Sequence, residues 1–217
     1  MSVAKYKSLW GSQQKTHIII AVPSILFPCN IGLPVNLKEV LKILISRFQN
    51  KGIDFVLSGG LALSTMGIFR FTKDIDFLIF EESKKSIHDI MTDLDYQKQD
   101  FSTEEIFSYW SPIKALGQID YLFARRKYTR AMMRRAKKCP VFDGEYMLKT
   151  ILPEDLIGLK IQAISNDPAN RFPVDASDIQ RILQIKTNEI DMELVRKYFE
   201  LFSKEDLLDE WLGKNNR

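Results

Sequence analysis

The stretch that decides the fold runs Asp54-Phe-Val-Leu-Ser-Gly-Gly-Leu-Ala-Leu-Ser-Thr-Met-Gly-Ile-Phe-Arg-Phe-Thr-Lys-Asp-Ile-Asp-Phe-Leu-Ile-Phe80. A short apolar strand leads into a glycine pair that opens a helix. A basic loop follows, then a second strand that begins with two aspartates. Strand side chains alternate between two faces, so Asp74 and Asp76 share one face while Ile75, Phe77 and Ile79 share the other. Two carboxylates placed side by side raise each other's pKa, and a hard divalent cation would remove that conflict.

Working outward, the elements on either side can be read from periodicity. Residues 1–36 show no sustained period and are punctuated by Pro23, Pro28, Gly32 and Pro34, which reads as an N-terminal arm with one short strand, Ile18 to Val22. From Leu37, apolar residues Val40, Leu41, Leu44, Ile45 and Phe48 recur at helical spacing, and Gly52 stops the helix. Downstream of the central stretch come a helix from Ser86 to Leu94, an aromatic-rich segment from Phe107 to Ile113 with no clear period, and a strand from Gln118 to Ala124. In that strand Asp120 and Leu122 face one way, and Ile119, Tyr121 and Phe123 the other. A helix from Tyr128 to Ala136 and a hairpin around Asp143-Gly144 follow. After Pro153 the pattern is helical: Glu154 to Ile164, Asp175 to Leu183, Asp191 to Phe202, and Lys204 to Leu212 with Ser203 as its N-cap. The expected class is α+β: an arm (1–36), a small mixed-sheet core with helices (37–150), and a C-terminal helical region (151–217).

Composition narrows the function classes. With 217 residues, 45% apolar and 27% charged, the chain can bury a core and is not disordered as a whole. A net charge of +3 does not by itself imply a nucleic-acid partner. The cysteines, Cys29 and Cys139, are too far apart in sequence to suggest a zinc site or a disulfide framework, and reduced thiols in the cytoplasm are the simplest expectation. His17 and His88 are the only histidines, which argues against histidine-rich metal sites and a Ser-His-Asp triad. Lysines ahead of the apolar run from His17 to Phe27 loosely imitate a signal peptide, but Pro23 interrupts that run and no clean cleavage site follows. No segment reaches the roughly 20 apolar residues of a membrane span.

Three acids, Asp74, Asp76 and Asp120, are placed at strands by their apolar surroundings. If the Asp120 strand pairs beside the Asp74–Asp76 strand, the carboxylates converge. Oxygen-only ligands of this kind suit Mg²⁺, or Mn²⁺, held together with substrate phosphates. Two such ions about 4 Å apart serve phosphoryl or nucleotidyl transfer. Gly59 and Gly60 supply the complement, because bare N–H groups at a helix N-terminus receive a phosphate chain.

The order strand, Gly-Gly helix, Asp-x-Asp strand, distant strand Asp resembles the DNA polymerase β-like nucleotidyltransferase superfamily. The string Gly59-Gly60-Leu-Ala62 through Gly67, Arg70-Phe-Thr72-Lys-Asp74-Ile-Asp76 is similar to its AbiEii-type toxin branch. The resemblance covers residues 37–185, including Leu152-Pro153-Glu154-Asp155-Leu156-Ile157, then Lys160, Arg171, Asp175 and Asp178. It departs at Val174, where many relatives carry a basic residue. It implies that Gly59 and Gly60 hold a triphosphate and that Asp74, Asp76 and Asp120 bind two metal ions.

Lys160 is notable on independent grounds. At 100° per residue it falls within the apolar arc of Leu156, Leu159, Ala163 and Ile164, so it needs a partner. Either its ammonium snorkels to water or pairs with Asp178, or it reaches the nucleotide's phosphates. Arg70, four residues before Asp74 in the motif, is assigned to the nucleotide.

The run Arg125, Arg126, Lys127, Arg130, Arg134, Arg135, Lys137 and Lys138 is the candidate surface for an RNA backbone. The alternative is a charged face offset by acids such as Glu81 and Glu82. The expected function is metal-dependent transfer of a nucleotidyl group from a nucleoside triphosphate to a hydroxyl. The resemblance implies RNA, such as the tRNA end, as acceptor, with a toxin or phage-defence role and an antitoxin partner. A small-molecule or protein acceptor, and an inactive nucleotide-binding module, are the competing readings.

Overall fold

In the computed structural model of the protein, which describes residues 36–100, 102–186 and 189–213, the strands flanking the glycine pair are β1 (Phe55–Ser58) and β2 (Asp74–Phe80). They run antiparallel, with Ser58 opposite Asp76. β2 is also parallel to β5 (Gln118–Ala124) over seven residues, from Asp74 beside Gln118 to Phe80 beside Ala124. The remaining strands are β3 (Gln97–Lys98), β4 (Ile106–Trp110), β6 (Lys137–Val141) and β7 (Tyr146–Thr150). Together they make one mixed sheet in the order β3-β4-β5-β2-β1-β7-β6. The arm expected over 1–36, with its strand at 18–22, lies outside the described residues apart from Asn36.

The period-2 alternation of β2 and β5 divides the helices between two layers. Ile75, Phe77, Ile79, Ile119, Tyr121 and Phe123 face α1 (Leu37–Asn50) and α3 (Lys84–Asp93), which bury Val40, Leu41, Leu44, Ile45, Phe48, Ile87, Ile90 and Met91 against them. The apolar positions of α1 are the ones its sequence period picks out. Its first turn is capped by the Asn36 side chain, which accepts from the Glu39 N–H at 3.2 Å.

On the opposite layer, Val56, Leu78 and Ala124 pack with α2 (Gly59–Thr65), α4 (Lys127–Arg135) and the helices α5 (Pro153–Asn166), α6 (Pro168–Lys186), α7 (Met192–Leu201) and α8 (Glu205–Trp211). This second layer covers the face on which Asp74, Asp76 and Asp120 sit. No helix among the described residues is long and apolar enough to cross a membrane.

Three elements differ from the sequence expectation. The segment left without a period at 107–113 contains β4, whose register is set by a distant neighbour: Ser108 lies opposite Asp120 and Tyr109 opposite Ile119. Helix α6 starts seven residues before the expected Asp175 and continues through Pro173. Proline removes one ladder hydrogen bond, but the Arg171–Asp175 ion pair spans it within the same helix. Ser203 does not cap the last helix. It takes a left-handed φ of 52°, and the helix begins after Lys204 with no side-chain cap.

Candidate active site

Because β5 and β2 are parallel and in register, Asp76 lies directly beside Asp120, and Ser58 lies on the other flank of Asp76. Ser108 of β4 lies beyond Asp120. Ser108, Asp120, Asp76 and Ser58 therefore form one row across four strands, on the face opposite Ile75, Phe77 and Tyr121. Neighbouring strands are about 4.8 Å apart, which sets the spacing of the row. Asp74 stands two residues earlier on the same face. The conditional expectation that the three acids converge is met in register.

Each carboxylate has local support. The Gly60 N–H donates to Asp76. The Thr72 hydroxyl donates to Asp74 in a short contact. Gln118 Nε2 reaches both oxygens of Asp120 at 3.0 Å, and Ser108 is also hydrogen-bonded to it. Burial, and then the charges of Asp74 and Asp120, push the Asp76 carboxyl up to about 7, with Lys160 and the Gly60 N–H opposing. Burial likewise raises Asp120, against the Ser108 and Gln118 hydrogen bonds.

Gly59 is required where it stands. Its φ is +60°, and a Cβ there would lie 1.8 Å from Asp76 Oδ2. A Cβ on Gly60 would lie 2.7 Å from Thr72 Oγ1. Gly59→Ala is expected to destabilise the protein by about 2 kcal/mol or more, through left-handed strain and displacement of Asp76. Chemical denaturation checks the stability, and a transfer assay should show activity falling with it.

Above the carboxylates, α5 and α6 carry a buried ionic network. Lys160 is 6% exposed, and its ammonium lies 2.6 Å from Asp175 Oδ1 and 2.8 Å from Asp178 Oδ2. Arg171 holds the other Asp175 oxygen at 2.9 Å, and Arg70 Nε stands 3.2 Å from Asp178 Oδ2. Lys160 thus has the partner its position demands, and its charge still acts on Asp76. Arg70 Nε and Asp178 Oδ2 are buried without an aligned hydrogen bond.

The basic run is divided. Arg125 pairs with Glu81 and Glu104, Arg126 with Glu105, and Arg130 with Glu82. Arg135 points inward, bonding both oxygens of the fully buried Asp155, whose Oδ1 also accepts from Tyr198 at 2.7 Å. Only Lys127, Arg134, Lys137 and Lys138 of the run have no ion pair among the described residues. The Asp155 cluster ties α4, α5 and α7 together. Arg135→Ala would leave a buried carboxylate without its cation, a loss of about 3–5 kcal/mol. Thermal melting of that variant against Arg134→Ala, expected within about 0.5 kcal/mol of wild type, separates the inward arginine from its exposed neighbour.

Gln118 and Ser108 are the supporting residues that sequence reading did not single out. Gln118 sits two residues before Asp120 on the same strand face, a signal readable by parity. Ser108 required the β4 register.

A mixed sheet with two strand-borne aspartates, a third on a parallel neighbour, and a Gly-Gly turn beside them defines a nucleotidyltransferase fold. The model of the family described as the nucleotidyl transferase AbiEii toxin of type IV TA systems matches residues 43–131. That span takes in Gly59, Gly60, Arg70 and all three aspartates, and it ends before Lys160. The chain carries a nucleotidyltransferase domain similar to that of the AbiEii toxins and is in this sense an enzyme.

Among solved structures, the chain is similar to the solution structure of the antibiotic-resistance factor ANT(2'')-Ia. The two share 13% identity at a TM-score of 0.60, over 79% of this chain and 94% of that one. It is also similar to the crystal structure of ANT(2'')-Ia in complex with adenylyl-2''-tobramycin, at 11% identity and a TM-score of 0.59, over 77% and 97%. At these identities the likeness is one of fold. No curated protein sequence matches the chain.

Proposed function

We propose that the protein transfers a nucleotidyl group from a nucleoside triphosphate to a hydroxyl of an RNA acceptor, such as a tRNA end, using Mg²⁺ or Mn²⁺ held by Asp74, Asp76 and Asp120. The observation that carries this reading is the register of Asp76 beside Asp120, with Asp74 on the same face. Among the described residues no group of three or more acidic, histidine or cysteine side chains is spaced to hold a metal ion, so an ion here would have to draw on the substrate as well as on the aspartates. An open set of carboxylates fits Mg²⁺, which takes few protein ligands and completes its shell with phosphates and water. The carboxyl raised by crowding at Asp76 is the local charge imbalance that such an ion would relieve. When bound, the ions supply Lewis-acid stabilisation of the charge developing on the transferred phosphate.

The protein's own groups do the rest. Gly59 and Gly60 let the triphosphate approach the β1–α2 turn closely. Arg70, which pairs with Asp178 through its Nε, would contact the phosphates with the rest of its guanidinium, and Lys160 supplies positive charge near Asp76. Gln118 and Ser108 hold the Asp120 carboxylate in one orientation, from which it takes the proton of the attacking hydroxyl. The new bond joins the acceptor oxygen to the α-phosphorus, and the bond from that phosphorus to the β-phosphate's bridging oxygen breaks, releasing pyrophosphate.

RNA would follow the exposed cations Lys127, Arg134, Lys137 and Lys138, which no acid neutralises among the described residues. The AbiEii resemblance supports a toxin or phage-defence role with an antitoxin partner. A second reading, with a small hydroxylated molecule or a protein as acceptor, is favoured by the pairing of Arg125, Arg126 and Arg130 with acids. The protein is to be incubated with Mg²⁺, labelled triphosphates and total RNA. Label in RNA that is reduced by combined alanine replacement of Arg134, Lys137 and Lys138 is the expected result. Undiminished transfer in that variant assigns the acceptor elsewhere, and no label in RNA under any triphosphate overturns the RNA reading.

A further inference from the structure

The loop between α2 and β2 alternates in burial with a period of two. Ile68 is fully buried, Arg70, Thr72 and Asp74 are half-buried, and Phe69, Phe71 and Lys73 are exposed. The inward side chains are committed: Arg70 to Asp178, Thr72 to Asp74. Arg181 also fixes the loop by donating to the Phe69 carbonyl at 3.4 Å. The outward side chains are not. Phe69 and Phe71 are each 76% exposed, more than any other large apolar side chain among the described residues.

Two phenylalanines fixed in water beside a row of catalytic carboxylates lose hydrophobic free energy that packing would have gained. Lys73 continues the same side of the loop, with its ammonium 5.8 Å from the centre of the Phe71 ring and no ion pair among the described residues. Phe69 and Phe71 stand two residues apart on the outward side of the loop, with Lys73 two residues further on. Aromatic faces interleaved with a cation are what single-stranded nucleic acid uses for stacking and phosphate contact. An apolar protein segment would gain from the rings but would have to cover the Lys73 charge without an acid. We propose that Phe69, Phe71 and Lys73 form the docking stripe for the single-stranded end of the acceptor RNA, with a base against the phenyl rings and a phosphate at Lys73.

This rests on the reading of the protein as an RNA nucleotidyltransferase and specifies how the acceptor is held. The stripe lies on the outer side of the loop whose inner side lines the site, so it acts on the acceptor and leaves the triphosphate alone.

Fluorescence anisotropy of a labelled single-stranded RNA oligonucleotide with the full chain, alongside Mg²⁺-dependent ATP binding by calorimetry, tests it. Phe69→Ala/Phe71→Ala is expected to weaken RNA binding at least about tenfold. ATP affinity should stay within about twofold of wild type. Phe71→Trp should retain RNA binding, and Lys73→Ala should weaken it and reduce its salt dependence. Unchanged RNA affinity in the double variant, equal loss of ATP and RNA binding, or no RNA binding by wild type overturns the stripe. RNA bound through the stripe without label transfer upholds the stripe and overturns the transfer reading. Asp76-dependent transfer to another acceptor, with no RNA binding, does the reverse.

Discussion

Asp76→Asn should abolish nucleotidyl transfer and, in the same protein, raise stability when divalent ions are chelated. The loss follows from removing a central member of the carboxylate row, and we expect at least about a thousandfold in kcat. The gain follows from the crowding. The Asp76 carboxyl moves from 3.8 to about 7 on folding, mainly through burial and then through Asp74 and Asp120. Between those two pH values the folded chain holds a proton that the unfolded chain has released. Stability of the metal-free wild type should therefore fall as pH rises from about 4 to about 7, and level off above, by at most about 4 kcal/mol. Asparagine has no proton to lose, so the variant should not show this contribution. Denaturant titrations at several pH values in EDTA measure it. Adding Mg²⁺ at pH 8 should raise the melting temperature of wild type and leave the variant largely unmoved. Equal pH dependence in the two proteins would remove the electrostatic account of the row.

Lys160→Met is the second large effect, and it decides between two roles for one side chain. The Lys160 ammonium lies within 2.8 Å of both Asp175 and Asp178, each almost fully buried. Removing the cation leaves two carboxylates with only Arg171 and Arg70 as opposing charges, at a cost of about 3–5 kcal/mol. For a chain of this length that lowers Tm by about 10 °C. A structural role predicts this fall together with loss of activity. A role confined to the nucleotide predicts an unchanged Tm and weaker triphosphate binding, read by calorimetry. The expected result is a lowered Tm, with weakened triphosphate affinity in the fraction that remains folded, because the same charge acts on Asp76.

How much of this was legible before the structure depends on the range of each interaction. The shared face of Asp74 and Asp76 needed only strand parity, which is local. The burial of Lys160 needed only the helical period, and Asp178, the acid proposed for it, is one of the two it meets, with Asp175 the other. Placing Asp120 required a condition, parallel pairing of β5 with β2, that no local pattern states. Ser108 was out of reach for the same reason, since its strand has a register only against β5. Helix α6 extends beyond the apolar period at Asp175 to Leu183 because burial of Ala176, Ile179 and Ile182 in the core outweighs the hydrogen bond lost at Pro173. The basic run could be sorted only by the acids that stand opposite it. Clustering in sequence says nothing about which acids stand opposite, and Arg135, which looked like part of an RNA surface, is the inward anchor of Asp155.

The central claim is that the triphosphate is attacked at its α-phosphorus under the three aspartates. The most direct measurement supplies the protein and Mg²⁺ with a triphosphate labelled at either the α- or the γ-position, for wild type and Asp76→Asn. The account predicts that α-label enters the acceptor, that γ-label leaves as pyrophosphate, and that neither occurs in the variant. Transfer of γ-label to the acceptor, or α-label transfer that survives Asp76→Asn, would contradict it.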